Sequence, residues 1–83
     1  MTLPPRIKNA QAVSENMLLV EFSNGEFKKF NISLVLNRPN FQALSNFSFF
    51  KNLKVDTSGY SIYWSDEIDL SENELWQKGT PVT

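Results

Sequence analysis

Apolar and polar positions alternate along several stretches of this chain and lapse into helical or irregular spacing between them. From Met17 to Phe22 the alternation is strict. Leu18, Val20 and Phe22 fall on one face, Leu19 and Glu21 on the other, as in a strand covered on one side. Residues 6–13 alternate more weakly, with Ile7 and Val13 the strongest apolar points, and Ser14-Glu15-Asn16 is a turn cluster. Asn24-Gly25 predicts a two-residue type I′ hairpin, because both central positions of that turn need positive φ. Such a turn sets Phe22 opposite Phe27 and Glu21 opposite Lys28, a favourable cross-strand pair. Phe30 then lies opposite Leu19, away from Phe27. Either both faces of the sheet are partly covered, or a bulge near Lys28-Lys29 returns Phe30 to the Phe27 side.

Asn31 predicts the cap of a short helix through Ile32–Leu36, which Pro39 keeps from continuing. Asn40 predicts the cap of a further turn holding Phe41 and Leu44 on one side, and Phe47, Phe49 and Phe50 then anchor an irregular stretch. Residues 53–56 and 60–64 alternate around the turn Thr57-Ser58-Gly59. They read as a second hairpin with Leu53, Val55, Tyr60, Ile62 and Trp64 inward. Residues 64–79 read as strand, turn and helix. Ser71 is the N-cap, Glu74 completes a capping box, and Leu70 and Leu75 form a hydrophobic staple. Gly79 supplies a left-handed stop and Pro81 prevents resumption. Phe22, Phe27, Val55, Ile62, Trp64 and Leu75 are the expected core. The order of elements is not an α/β alternation. It predicts an α+β domain over 1–83: an antiparallel sheet of four to five strands in two hairpins, short helices on one face, and a capped C-terminal helix.

Composition narrows the chemistry. Eighty-three residues hold one core. The chain has no cysteine and no histidine. This removes disulfides, thiolate metal sites, the cysteine nucleophile and the commonest general base. Enzymatic activity is therefore not expected, nor is a cofactor or metal. Residues 1–6 lack the apolar run of a signal peptide, and no stretch approaches the ~20 apolar residues of a membrane span, so a soluble cytoplasmic protein is the default. The net charge of −1 hides an asymmetry, with +4 over residues 1–54 and −5 over residues 55–83. Separated signs fit a partner that reads charge, or self-association between opposite faces; they also fit chain ends lying on different parts of a solvated surface.

Three groups of residues invite a sharper reading. Asp66, Glu67 and Asp69 cluster near the last turn, but their spacing is not that of a calcium loop. Carboxylates placed just before a helix are otherwise accounted for by its dipole. Arg6, Lys8, Lys28 and Lys29 form a basic set that could contact nucleic acid, although the aromatics at alternating positions are read as core rather than base-stacking platforms. Charges on edge strands also block unwanted pairing. Trp76 follows Leu75 on the helix, so the two cannot both point into one core, and Trp76 joins the three carboxylates as a candidate partner contact. The weakly patterned strand 6–13 is the candidate edge for a homodimer with a continuous sheet.

A family pattern runs through these elements. Leu18, then Val20-Glu21-Phe22-Ser23-Asn24-Gly25-Glu26, then Phe30-Asn31, resembles the opening of the bacterial family catalogued as domain of unknown function 2442. Phe41, Leu44, Phe50, Val55-Asp56, Gly59 and Ile62-Tyr63-Trp64 continue the resemblance. Asp66-Glu67-Ile68-Asp69-Leu70-Ser71 with Glu74-Leu75 is similar to its closing signature. Ser65, Glu67 and Asn31 depart from it, where the family has proline, glycine and aspartate. The resemblance implies a small α+β domain of the kind found at the N-terminus of some helix-turn-helix proteins. It also implies a stand-alone form, encoded beside small toxin genes and antitoxin-like in role. With no helix-turn-helix expected after Thr83, the stand-alone form is the expectation, with a protein partner. A nucleic-acid-binding or transcription-regulatory accessory domain is the alternative.

Overall fold

A computed structural model describes residues 5–82. Met1–Pro4, part of the stretch read above as lacking a leader's apolar run, and Thr83 lie outside the described residues. Strands β1 (Ile7–Ser14), β2 (Met17–Phe22) and β3 (Phe27–Asn31) run antiparallel in sequence order, and a late strand β7 (Thr80–Pro81) adds to β3. Strands β4 (Lys54–Val55), β5 (Ser61–Ser65) and β6 (Ile68–Ser71) form a second, three-stranded antiparallel sheet. The α+β class and the two expected hairpins are present, with the strands divided between two sheets that share one core. Two strands were not foreseen. Ile68–Ser71 is a strand because Ile68 and Leu70 face inward while Asp69 faces out, and Thr80–Pro81 is only two residues long.

The first hairpin differs from the expected type I′ turn. Gly25 has φ +89° and no other residue in the turn has positive φ. The Gly25 N–H donates to the Phe22 carbonyl and the Phe22 N–H to the Glu26 carbonyl, so three residues, Ser23-Asn24-Gly25, connect the strands. This is a type I turn closed by a left-handed glycine, the usual three-residue solution. The extra residue moves the register by one. Leu18 now faces Phe30, Val20 faces Lys28, Leu19 faces Lys29 and Glu21 faces Phe27. No bulge interrupts this pairing. Phe30 is buried on the inner face, whereas Phe27 lies on the outer face, 41% exposed, and leaves the expected core.

The middle of the chain lays two 3₁₀ segments and a short helix across the core. Asn31 caps Ile32–Leu34 by accepting the Ser33 N–H at 2.9 Å. Pro39 opens the segment Pro39–Ser45 instead of merely interrupting it, so Asn40 is inside the segment and not its cap. Proline suits a first helical position because its missing donor would be unpaired there. Helix α1 (Phe47–Phe50) is capped by Asn46 and buries Phe50. Trp64 stacks on Phe50 and its indole N–H donates to the Phe50 carbonyl at 2.7 Å, which fixes it as a core filler. Tyr60, expected inward, is 49% exposed because the turn ends at Gly59 and the strand starts only at Ser61. The two sheets are tied where the Ile7 N–H donates to the Gly59 carbonyl at 2.8 Å.

Helix α2 (Glu72–Lys78) starts as expected: the Ser71 hydroxyl accepts the Glu74 N–H at 3.1 Å. The reciprocal half of the capping box is not made, because the Glu74 carboxylate turns to Arg38 and Lys78. The helix ends at Gly79 in an extended conformation, φ −72°, not in the left-handed one. Gly79 is required for space: a Cβ there would stand 2.5 Å from the Leu75 carbonyl oxygen and 3.1 Å from the Lys28 Cβ. Gly79→Ala is therefore expected to cost about 1–3 kcal/mol, the range for overpacking a closed site. Ser71→Ala is expected to cost about 0.5–2 kcal/mol for the lost cap. Urea denaturation midpoints check both, and an unchanged midpoint for either removes the corresponding contact from the account.

Candidate protein-docking face

In β5 the even positions Ile62 and Trp64 turn toward the core, so Ser61, Tyr63 and Ser65 turn outward. Pairing with β6 sets Asp69 beside Tyr63, and pairing with β4 sets Lys54 on its other side. Asp56 follows β4 and Asp66 stands in the β5–β6 turn. Asp56, Ser61, Tyr63, Ser65, Asp66 and Asp69 together line one open depression of about 360 Å³. Glu67 is exposed in the same turn, which forms without positive φ despite the glycine the family carries there; the Ser65 hydroxyl accepts the Glu67 N–H at 3.4 Å. The pairing of β5 with β6 shifts register between Tyr63 and Ser65.

The depression offers carboxylates and hydroxyls around one aromatic ring. Asp56 is the most constrained: the Ser58 hydroxyl and then the Ser58 N–H donate to its carboxylate and hold it below the usual carboxylate range. Among the described residues no group of three or more His, Cys, Asp or Glu is arranged to hold a metal ion. The helix-dipole account of Asp66, Glu67 and Asp69 does not hold, since these residues occupy a turn and a strand. The acids of the first helical turn are Glu72 and Glu74. Tyr63 and Asp56 were missed as members of this face, although the outward period of Ser61, Tyr63 and Ser65 was present in the strand pattern.

Trp76 lies elsewhere. It is half-buried against the inner face of the four-stranded sheet, edge-on to Phe22 at 5.0 Å between ring centroids. The Lys28 ammonium sits 3.8 Å from its ring centre and donates to its carbonyl. The expected basic set is likewise dispersed. Arg6 stacks over Tyr60 at 4.1 Å and donates to the Tyr60 hydroxyl and the Ser58 carbonyl. Lys8 reaches Glu21 at 3.7 Å. Lys28 faces inward and Lys29 outward, on opposite faces of the same strand. Three of the four cations thus have partners within the domain, and the expected Glu21–Lys28 pair is replaced by Glu21–Lys8.

The family model described as protein of unknown function (DUF2442) matches residues 7–81, nearly the whole chain. The chain belongs to this family. No curated protein matches it, and no solved structure does. Membership in DUF2442 agrees with the fold but assigns no chemistry to the depression. In this DUF2442 domain no helix among the described residues is long and apolar enough to cross a membrane.

Glu74, in the first turn of α2, is the electrostatic hub of the C-terminal helix. Burial by itself pushes its carboxyl up, but Arg38, bonded through both guanidinium nitrogens at 3.3 and 2.6 Å, and Lys78 at 3.1 Å outweigh burial and hold it low. The folded-state value therefore lies below the unfolded one. The pair's contribution is complete above the ordinary carboxylate value of about 4.3 and is lost as pH falls through the lowered value. Arg38→Gln should lower the urea midpoint at neutral pH, and the gap to wild type should narrow as the pH falls below the ordinary carboxylate range and Glu74 is protonated. A gap that stays constant with pH would show that the lost contact is packing and not charge.

Proposed function

We propose that this DUF2442 domain is a non-catalytic protein-binding module that presents the outer face of its three-stranded sheet to a basic segment of a protein partner. The observation that carries the reading is the convergence of Asp56, Asp66 and Asp69 on one open depression around Tyr63. A tyrosine ring supplies rigid contact area with a polar tip, and the flanking carboxylates select cationic side chains. Lys54 at the rim is the one cation beside that ring in the strand pairing. Glu67, exposed in the same turn as Asp66, adds the same sign beside it. The antitoxin-like role implied by the family resemblance fits such a face, its partner being a small basic toxin. The dispersal of Arg6, Lys8, Lys28 and Lys29 leaves the nucleic-acid alternative without a continuous basic surface.

The test is capture of partners from the native host by the tagged chain, alongside Asp66→Lys with Asp69→Lys. A stoichiometric partner is expected with wild type and should be lost or weakened at least tenfold with the double variant, as like charges meet across the contact. The variant's melting midpoint should change little, since both residues are exposed. A partner held equally by both proteins would move the contact to another surface. Salt-sensitive retention on DNA by the wild-type chain, abolished by Lys28→Glu with Lys29→Glu, would overturn the reading in favour of nucleic acid.

A further inference from the structure

The outer face of the four-stranded sheet remains open at Phe27 and Val82, which are 41% and 43% exposed. At its centre the β2–β3 pairing sets Leu19 beside Lys29 and Glu21 beside Phe27. These four outward residues form a four-cornered patch in which the apolar pair occupies one diagonal and the opposite charges occupy the other. Lys29 is exposed, and Glu21 engages Lys8 through a single carboxylate oxygen at 3.7 Å. We infer that this patch is a self-complementary contact through which two copies of the chain pack face to face as a twofold dimer.

The argument is one of symmetry. A twofold interface brings each patch against itself, so it needs a patch whose charges exchange under the rotation. An axis lying along the Leu19–Phe27 diagonal stacks Leu19 on Leu19 and Phe27 on Phe27. It carries each Glu21 to within about 3 Å, in projection, of the Lys29 of the other copy. With strands about 4.8 Å apart and outward residues about 6.8 Å apart along a strand, that axis crosses the strands of the two copies at about 70°, between the aligned and orthogonal packings of sheets. Val82 lies beside Phe27, its N–H donating to the Phe27 carbonyl at 3.0 Å, and extends the apolar strip. The β1 edge is a poorer route to a dimer. It is bulged near both ends, and its Ile7 N–H is already taken by Gly59. Four strands of about five residues span only some 300 Å² in projection, so the association is weak and concentration-dependent. The acidic depression is on the other sheet and stays free in this dimer.

Sedimentation equilibrium of the purified chain, from low micromolar to several hundred micromolar at low salt, tests the inference. The mass is expected to rise with concentration from the 9.5 kDa of one chain toward twice that value. Lys29→Glu alone and Glu21→Lys alone should each weaken self-association at least tenfold by setting like charges against each other. An equimolar mixture of the two variants should associate as wild type does, since every charge then meets its opposite. Circular dichroism establishes that the variants fold; if a charge reversal does not, Phe27→Ser at its exposed position should weaken association alone. A wild-type mass that stays at one chain throughout overturns the inference. So do single variants that dimerise undiminished, or a mixture no stronger than its components.

Discussion

Gly25 is left-handed while Asn24 is not, and that one difference lengthens the β2–β3 connection from two residues to three. Because side chains alternate along a strand, a shift of one residue exchanges the faces of everything that follows in β3. Phe30 goes into the core opposite Leu18, and Phe27 and Lys29 go to solvent. Lys28 is turned inward, where an unpaired ammonium would be costly. The packing of the C-terminal helix answers that constraint. Trp76 lays its ring under the ammonium and offers its carbonyl, and the helix end comes so near that only glycine fits at 79. The strand β7 then continues along β3, with Pro81 opposite Lys28. A two-residue edge containing proline is a poor template for further pairing, which closes that side of the sheet.

Much of this architecture was legible where the cause is local. The alternation of Leu18, Val20 and Phe22 identified a strand and its buried face, and all three are fully buried. Ser71 and Asn31 cap as expected, because a cap needs only a short side chain and the N–H groups two or three residues on. What escaped was set by distant partners. Glu74 abandons the capping box for Arg38, thirty-six residues earlier, since two bonds from a guanidinium outweigh one from a backbone N–H. Tyr60 stays outside the core, before β5 begins at Ser61, and its ring is covered by Arg6, which precedes β1. Strand β7 exists only because Lys28 and Lys29 present an edge for it. No pattern within three residues of Thr80 contains that information.

The candidate faces were legible to different degrees for the same reason. Asp66 and Asp69 were singled out as a cluster, but their apparent explanation, a helix dipole, depended on the strand β6 going unnoticed. Once Ile68–Ser71 is a strand, Asp69 and Tyr63 become cross-strand neighbours and Asp56 joins them from the far side of β5. The basic set was a product of sequence order alone. Lys28 and Lys29 are adjacent in the chain and on opposite faces in the sheet, and Arg6 is drawn to the second sheet's turn. Adjacent residues on a strand diverge, whereas residues paired across strands converge. A site on a sheet is therefore read from register and not from proximity in sequence.

The outer faces of the two sheets differ in the same terms. The three-stranded sheet carries mostly one sign of charge on its outer face, with Asp56, Asp66 and Asp69 around Tyr63. On the four-stranded sheet Glu21 and Lys29 lie across a Leu19–Phe27 diagonal, with Lys8 beside Glu21. Both properties trace back to strand pairings, Tyr63 with Asp69 in one sheet and Leu19 with Lys29 in the other. The second of these is set by the three-residue turn. With the two-residue turn, Phe30 would stand beside Leu19, Lys28 beside Glu21, and Lys29 would turn inward with Phe27. The apolar residues and the charges would then sit in separate rows, and the helix would meet a different lysine.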